Sequence, residues 1–400
     1  MEINRKQLYR FPWSKTDNPG GWIEVTDVCN LTCHGCYRNQ LEGNRPVELV
    51  KKDIEDTIGL TNCDCITIAG GEPLIYPELS EVVAHIASLK VKPIIFSNGI
   101  GLTPDLLGDL KKAGLAKMHL HVDSRQDRKG WAGNNEQQLN DLRQYYADMI
   151  AATGKVQCGF HTTVFRSNLK DIVYILAWGL KNRDRVQHLS FIAYRTIPEN
   201  ETLSFFTDGE QIIPDQRLNR TTDTSEISIT TEEMFDVLQK EFPFLHPCAY
   251  LNGTTAYETL KFLIMVNFGT RTRTYGHLGR KTMEMAQMGY HLLFNRYFAF
   301  SGNPRAGIKI ILLSFFDPYV RKGLVQLLKS GVRNPFSIFK PLYLQSIHLQ
   351  QPNEVIDGKI NLCDDCVNMM AYQGKLINSC RLDEYRLYGD ALQVISLNHK

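Results

Sequence analysis

Four hundred residues, 43% of them hydrophobic, can bury a substantial core as one large domain or as two to three smaller ones. The formal net charge is only +2, so whole-chain electrostatics select no class of partner, and no apolar run reaches the roughly 18 residues needed to span a bilayer. The ten cysteines are clustered, and Met1 to Arg10 is polar with no apolar leader. These features favour a reducing compartment in which cysteines hold metal rather than form disulfides. The expected protein is cytoplasmic, soluble or peripheral at a membrane surface.

In chain order, a 21-residue extension comes first, followed by apolar, β-branched runs that alternate with helix-length amphipathic segments. The alternation predicts parallel strands at 22–26, 65–69, 93–97, 118–123, 157–164 and 186–195. Helices are expected at about 48–60, 77–90, 103–113, 135–152 and 168–182. Six such units are too few for a closed eight-stranded barrel but enough for a curved, partial one over 22–200, with functional groups at the C-terminal strand ends. The pattern weakens over 201–245, a connection with one helix near 231–240. From 246 to 355 the composition turns basic and aromatic: Lys261 to Leu342 holds thirteen Lys or Arg against two acids. This region reads as mostly helical. The tail, 356–400, carries Cys363, Cys366 and Cys380.

Residues of chemical interest collect at the predicted strand ends. Cys29, Cys33 and Cys36 form a C-x3-C-x2-C loop after the first strand, and thiolates at this spacing can bind three irons of a cubane while leaving the fourth open. A zinc site is expected to supply four protein ligands, and no fourth lies nearby in sequence. Gly70-Gly71-Glu72-Pro73 follows the second strand, Ser97-Asn98-Gly99 closes the third, and Asp123 ends the fourth after His119 and His121. Two glycines allow close backbone approach to a ligand, and a carboxylate can accept from an ammonium. Strand-end Asn and Asp also serve as plain loop hydrogen-bonding groups, and the histidines as satisfied core residues.

The cysteine loop together with the Gly-Gly-Glu-Pro turn resembles the radical S-adenosylmethionine (radical SAM) enzymes over about residues 22–200. The resemblance implies a partial (β/α)6 barrel, a [4Fe-4S] cluster on Cys29, Cys33 and Cys36, and S-adenosylmethionine (SAM) chelating its open iron. SAM would be cleaved reductively to a 5′-deoxyadenosyl radical that abstracts hydrogen from substrate. Gly70, Gly71, Glu72 and Pro73 would then face the SAM amino group, and Ser97 and Asn98 its ribose or methionine part. Asp123 would meet ribose hydroxyls or substrate, and Arg195 the SAM carboxylate. The family usually has an aromatic residue before the third cysteine; here Gly35 stands there and Tyr37 follows, so adenine contact by Tyr37 competes with simple packing.

Cys363, Cys366 and Cys380, with Cys248 as a fourth ligand, look like the auxiliary iron-sulfur clusters of such enzymes; a zinc site is the alternative. A small-molecule substrate, an electron donor such as flavodoxin or ferredoxin, and no nucleic acid are the implied partners. The tail pattern and the basic, apolar segment weakly resemble lipid-modifying members, so a lipid or isoprenoid substrate and peripheral membrane contact are expected. A peptide- or protein-modifying maturase is the second reading, and the short extension before the first strand leaves no room there for a peptide-recognition domain. A non-catalytic iron-sulfur scaffold or sensor is the third, and the retained Gly-Gly-Glu-Pro turn argues against it.

Overall fold

The computed structural model describes residues 3–36, 38, 43–194, 197–198, 203–215, 220–221, 226, 229–302, 305, 315–336, 340–356, 359–364 and 366–396. Six parallel strands pair in sequence order: β1 (Gly20–Thr26), β2 (Cys65–Gly70), β3 (Lys92–Ser97), β4 (Lys117–His121), β5 (Gln157–Val164) and β6 (Val186–Ala193). Five helices connect them: α1 (Val47–Thr61), α2 (Leu79–Ser88), α3 (Pro104–Ala113), α4 (Asn140–Ala151) and α5 (Ile172–Lys181). The expected partial barrel is present.

Local chemistry sets these boundaries. Thr103 caps α3 by accepting from the Leu106 amide at 3.2 Å, Pro104 opens the helix, and Gly114 closes it in the left-handed region; such a cap contributes about 1 kcal/mol. In α2 the buried residues Leu79, Val82, Val83 and Ile86 fall at helical spacing and so present one apolar stripe to the sheet. β4 stops at His121, so Asp123 lies in the following loop rather than at the end of the strand.

Alternation along the strands gives the sheet two different faces. Ile23, Val25, Ile66, Ile68, Ile95, Met118, Leu120, Phe160, Leu189 and Phe191 point outward into one core shared with the helices. The inward positions are more polar: Glu24 on β1, Thr67 on β2, His119 and His121 on β4, His161 on β5, and His188 and Ser190 on β6.

The second half departs from the expectation of a mostly helical region. It does supply α7 (Arg280–Phe294) and α8 (Pro318–Arg333), after the expected connecting helix α6 (Thr231–Glu241). It also supplies β7 (Ala249–Asn252), β8 (Leu260–Gly269) and β9 (Tyr343–Gln350), which extend the main sheet. The short apolar run in β8 is ambiguous by periodicity, and pairing decides it. β9 joins β6 in parallel and β8 joins β9 antiparallel. Lys261 on β8, counted with the basic residues, is buried, and its ammonium reaches the Pro352 carbonyl and Glu354 at 2.7 Å each. At the other edge, the tail supplies β10 (Met369–Tyr372), parallel to β1, and β11 (Lys375–Asn378), followed by α9 (Leu382–Tyr388). Met370, Ile377 and Leu382 pack on Trp22 and Ala69, so the tail covers the inner face at the β1–β2 end.

Candidate functional site

The three cysteines sit on a loop clamped between two others. On one side the Gly71 amide donates to the Thr26 carbonyl at 2.7 Å and the Glu72 amide to the Val28 carbonyl at 2.9 Å. On the other, the His34 amide donates to the Arg125 carbonyl at 2.9 Å, the Asp127 amide donates to the Thr32 carbonyl at 3.2 Å, and Cys33 bridges to Gln126. Cys29 and Cys33 are half-buried and Cys36 is exposed. Burial pushes the Cys33 thiol up to about 12, helped by Asp123 and Cys36, and burial also raises Cys29. Thiols so placed stay neutral until a metal displaces their protons. Three thiols on one loop, with no fourth cysteine on it, fit the three protein ligands of an open-iron cubane.

The two glycines stand where the turn meets backbone. A Cβ on Gly70 would stand 2.2 Å from the Thr26 carbonyl oxygen, and one on Gly71 would stand 2.2 Å from that of Val28. They are needed so that the turn can lie against the base of the cysteine loop. Gly35 answers a similar demand: its φ is +79°, and a Cβ there would meet the Tyr194 ring at 2.3 Å. Tyr194, from the end of β6, stacks with His34 and Phe165, so aromatic packing on the loop comes from across the barrel. The two sequence candidates Tyr37 and Arg195 lie outside the described residues.

Glu72 is fully buried and already committed. Its carboxylate accepts from the Ser97 hydroxyl at 2.6 Å, the Asn98 amide at 2.7 Å and the Leu74 amide at 2.9 Å. Burial raises its pKa against those donors. Pro73 opens the short turn Pro73–Ile75 that follows. Glu72 therefore ties the end of β2 to the end of β3 and fixes the Ser97-Asn98-Gly99 segment. From there the Asn98 side-chain amide reaches the Cys29 sulfur at 3.8 Å and Asn30 at 2.8 Å.

Asp123 is buried beside His121, with Nε2 to carboxylate at 2.7 Å, and it accepts from the Arg125 amide at 2.9 Å. Burial opposes its ionisation, but the His121 charge and these hydrogen bonds outweigh it, so its pKa falls. Next to it stands Arg128, which sequence reasoning passed over. This guanidinium is buried, which lowers its pKa against the nearby Asp123 and Glu72 carboxylates, and it donates to Gln126 at 2.7 Å and to the His121 carbonyl at 2.6 Å. Among the described residues no carboxylate forms an ion pair with it. Its only sequence signal was a basic residue five positions past a strand-end acid.

The tail cysteines lie elsewhere. Burial, then Cys380, pushes the Cys366 thiol up to about 12, and its sulfur accepts from the Asn368 amide at 3.4 Å. Cys363 bridges to Gly253 and packs against the apolar cluster of Tyr9, Phe11 and Trp13 that also buries Cys248. The Cys248 thiol donates to the Ile264 carbonyl at 3.3 Å. A buried network joins the tail to the exit of the cysteine loop. Arg38 pairs with Glu24, with Asp383 at 2.8 Å and with the Ser379 carbonyl at 2.8 Å, while Arg386 pairs with Asp27 at 2.7 Å.

Residues 23–178 match the family model of the Radical SAM superfamily, a family of enzymes that bind a [4Fe-4S] cluster and SAM. Among curated relatives, GTP 3′,8-cyclase of Mycolicibacterium smegmatis is 37% identical over 113 residues, 26% of this chain and 30% of that protein. The AdoMet-dependent heme synthase of Methanosarcina barkeri is 22% identical over 179 residues, 43% of this chain and 48% of that one. The chain spans about a third of the length of the first cyclases it matches. Among solved structures, Streptococcus suis SuiB bound to S-adenosylmethionine aligns at a TM-score of 0.40 and 15% identity, covering 57% of this chain and 48% of that chain.

Proposed function

We propose that the chain is a radical SAM enzyme in which Cys29, Cys33 and Cys36 hold the cluster and SAM lies across the ends of β2 to β5. The observation that carries this reading is the cysteine loop clamped between the Gly70–Pro73 turn and the 124–128 loop, with Asn98 on the Cys29 sulfur and Arg128 buried alongside. When bound, the cluster and SAM supply reductive cleavage of SAM and hence a radical for hydrogen abstraction. The chain's own residues orient and exclude water. Arg128 offers its charge to the SAM carboxylate, the part expected of Arg195. Asp123, kept ionised beside His121, accepts from hydroxyls of ribose or substrate. Glu72 positions Ser97 and Asn98 rather than binding through its occupied carboxylate. Exposed Cys36 leaves the cluster close to a flavodoxin- or ferredoxin-like donor.

For the substrate we favour an amphiphilic lipid. Leu292, Leu293 and Phe294 at the end of α7, and Val325, Leu328 and Val332 on α8, are exposed together with Arg321, Lys322 and Lys329. Basic and apolar side chains interleaved in this way suit an anionic membrane surface. No helix among the described residues is long and apolar enough to cross a membrane. The inward face of β4 to β6 is polar, which suits the head of such a molecule better than its chain.

Reduced, reconstituted protein given SAM is expected to release 5′-deoxyadenosine, and a Cys33→Ala variant to release none; equal release from both would overturn the cluster assignment. Deuterium carried from a labelled lipid into 5′-deoxyadenosine supports the substrate class. Transfer from a peptide instead, with no flotation on anionic liposomes at low salt, replaces it by a maturase.

A further inference from the structure

Below the strand ends, the lumen holds histidines beyond the one that pairs with Asp123. Five of the eleven histidines face inward on neighbouring strands: His119 and His121 on β4, His161 on β5, His188 on β6 and His348 on β9. His119 stacks on His188 with ring centroids 4.8 Å apart and an interplanar angle of 12°, and His348 meets His188 edge-on at 4.4 Å. Between His119 and His188 in register stands Gly159, where a Cβ would lie 2.8 Å from the His119 ring and 3.0 Å from the His188 Cβ. The sheet is thus open at the point where the two rings come together. One ring nitrogen from each of His119, His161 and His188 lies within 4.8 Å of the others.

These imidazoles only partly satisfy one another's nitrogens. His161 Nε2 and His119 Nδ1 share a hydrogen bond at 2.8 Å, while His119 Nε2 and His161 Nδ1 are buried with no hydrogen-bond partner among the described residues. His188 is held in a defined tautomer. The Ser346 hydroxyl donates to the Gln187 carbonyl at 3.3 Å and so accepts from His188 Nδ1 at 2.8 Å, which leaves the Nε2 lone pair free. A hydrogen bond that fixes the far nitrogen is the usual second support of a metal-binding histidine.

We propose that His119, His161 and His188 form a site for one divalent transition-metal ion of the zinc, cobalt or iron(II) class in the barrel lumen, two strand residues below His121. A set of neutral nitrogens with no carboxylate excludes calcium and magnesium and suits these borderline metals. Three protein ligands leave a fourth position open to the lumen, as in catalytic rather than structural zinc sites. Three neutral ligands also leave the ion its full charge. The ligand class that fits the open position is therefore an anionic oxygen: a carboxylate, phosphate or alkoxide of the substrate.

The test is zinc analysis and zinc K-edge X-ray absorption on the reconstituted, cluster-loaded chain after equilibration with zinc. One zinc per chain is expected, in a nitrogen and oxygen shell at about 2.0–2.1 Å without the sulfur scattering at about 2.3 Å that cysteine ligation gives. His161→Gln and His188→Gln should lose the ion while keeping the wild-type near-ultraviolet circular dichroism. Ser346→Ala, which leaves every ligand in place, should weaken zinc binding about 10- to 100-fold. No retained zinc, a sulfur shell, or unchanged affinity in Ser346→Ala and the foldable histidine variants would overturn the site. None of these readouts depends on SAM cleavage, so this proposal and the radical SAM reading fail separately.

Discussion

The two cysteine groups are held in different ways. The loop of Cys29, Cys33 and Cys36 hangs between strand ends, its backbone tied to Gly71, Glu72, Arg125 and Asp127 and its last thiol exposed. The tail group is built on sheet edges: the Asp364 amide donates to Asn252, the Thr254 amide to Leu362 and the Ser379 amide to Asn368, each at 2.9 Å. The first arrangement holds its thiols through loop backbone at the strand ends; the second holds them against paired strand edges. In the function proposed above, substrate chemistry belongs to the loop and a supporting or electron-handling role to the tail.

The sharpest way to break that division is to remove one thiol from each group. Reconstituted wild type is expected to bind about eight irons if both groups carry cubanes. Cys33→Ala and Cys366→Ala should each lose about four, but only Cys33→Ala should abolish 5′-deoxyadenosine release. If Cys366→Ala keeps the full iron count, the tail holds no cluster; if it alone stops SAM cleavage, the roles are reversed.

A smaller effect tests the link between the groups. Arg38, two residues past Cys36, pairs with Glu24 and Asp383 and takes the carbonyl of Ser379, the neighbour of Cys380. Removing one partner of a buried ionic network leaves the others uncompensated, at a cost of about 3–5 kcal/mol. Arg38→Met should therefore lower unfolding stability by about that amount in a denaturant titration and release iron from both groups. A loss under about 1 kcal/mol would mean that the network is solvated and the two groups stand apart.

How much of this was legible in the sequence follows from which interactions are local. The six strands and five helices of 20–193 could be read because alternation and helical spacing are properties of neighbouring residues, and caps such as Thr103-Pro104 mark their ends. The cysteine loop was legible because its spacing is itself the signal. The strand character of β8 and β9 was not, since it depends on pairing with β6 across the chain. Nor was the commitment of the Glu72 carboxylate to Ser97 and Asn98, or the burial of Arg128, because each depends on loops that meet only after folding. The lumen histidines occupy alternate positions on several strands, and no single stretch reveals that they converge.

The smallest effect concerns how the loop tunes what it holds. Asn98 is the residue through which the Glu72 turn reaches the cysteines: its backbone amide is fixed by Glu72, and its side chain faces the Cys29 sulfur at 3.8 Å and Asn30 at 2.8 Å. Hydrogen bonds to cluster sulfurs help to set the reduction potential, because a donor favours the more negative, reduced form. Asn98→Leu keeps the size of the side chain and the Glu72 backbone contact but removes the donor. The variant should bind iron as wild type does and be reduced at a more negative potential, read by a redox titration followed by electron paramagnetic resonance. The tail, which Asn98 does not touch, supplies the internal control: its signal should titrate unchanged. An equal shift of both signals would mean that the substitution acts on the fold as a whole, and the contrast between an open, tuned loop and a packed, supporting tail would be lost.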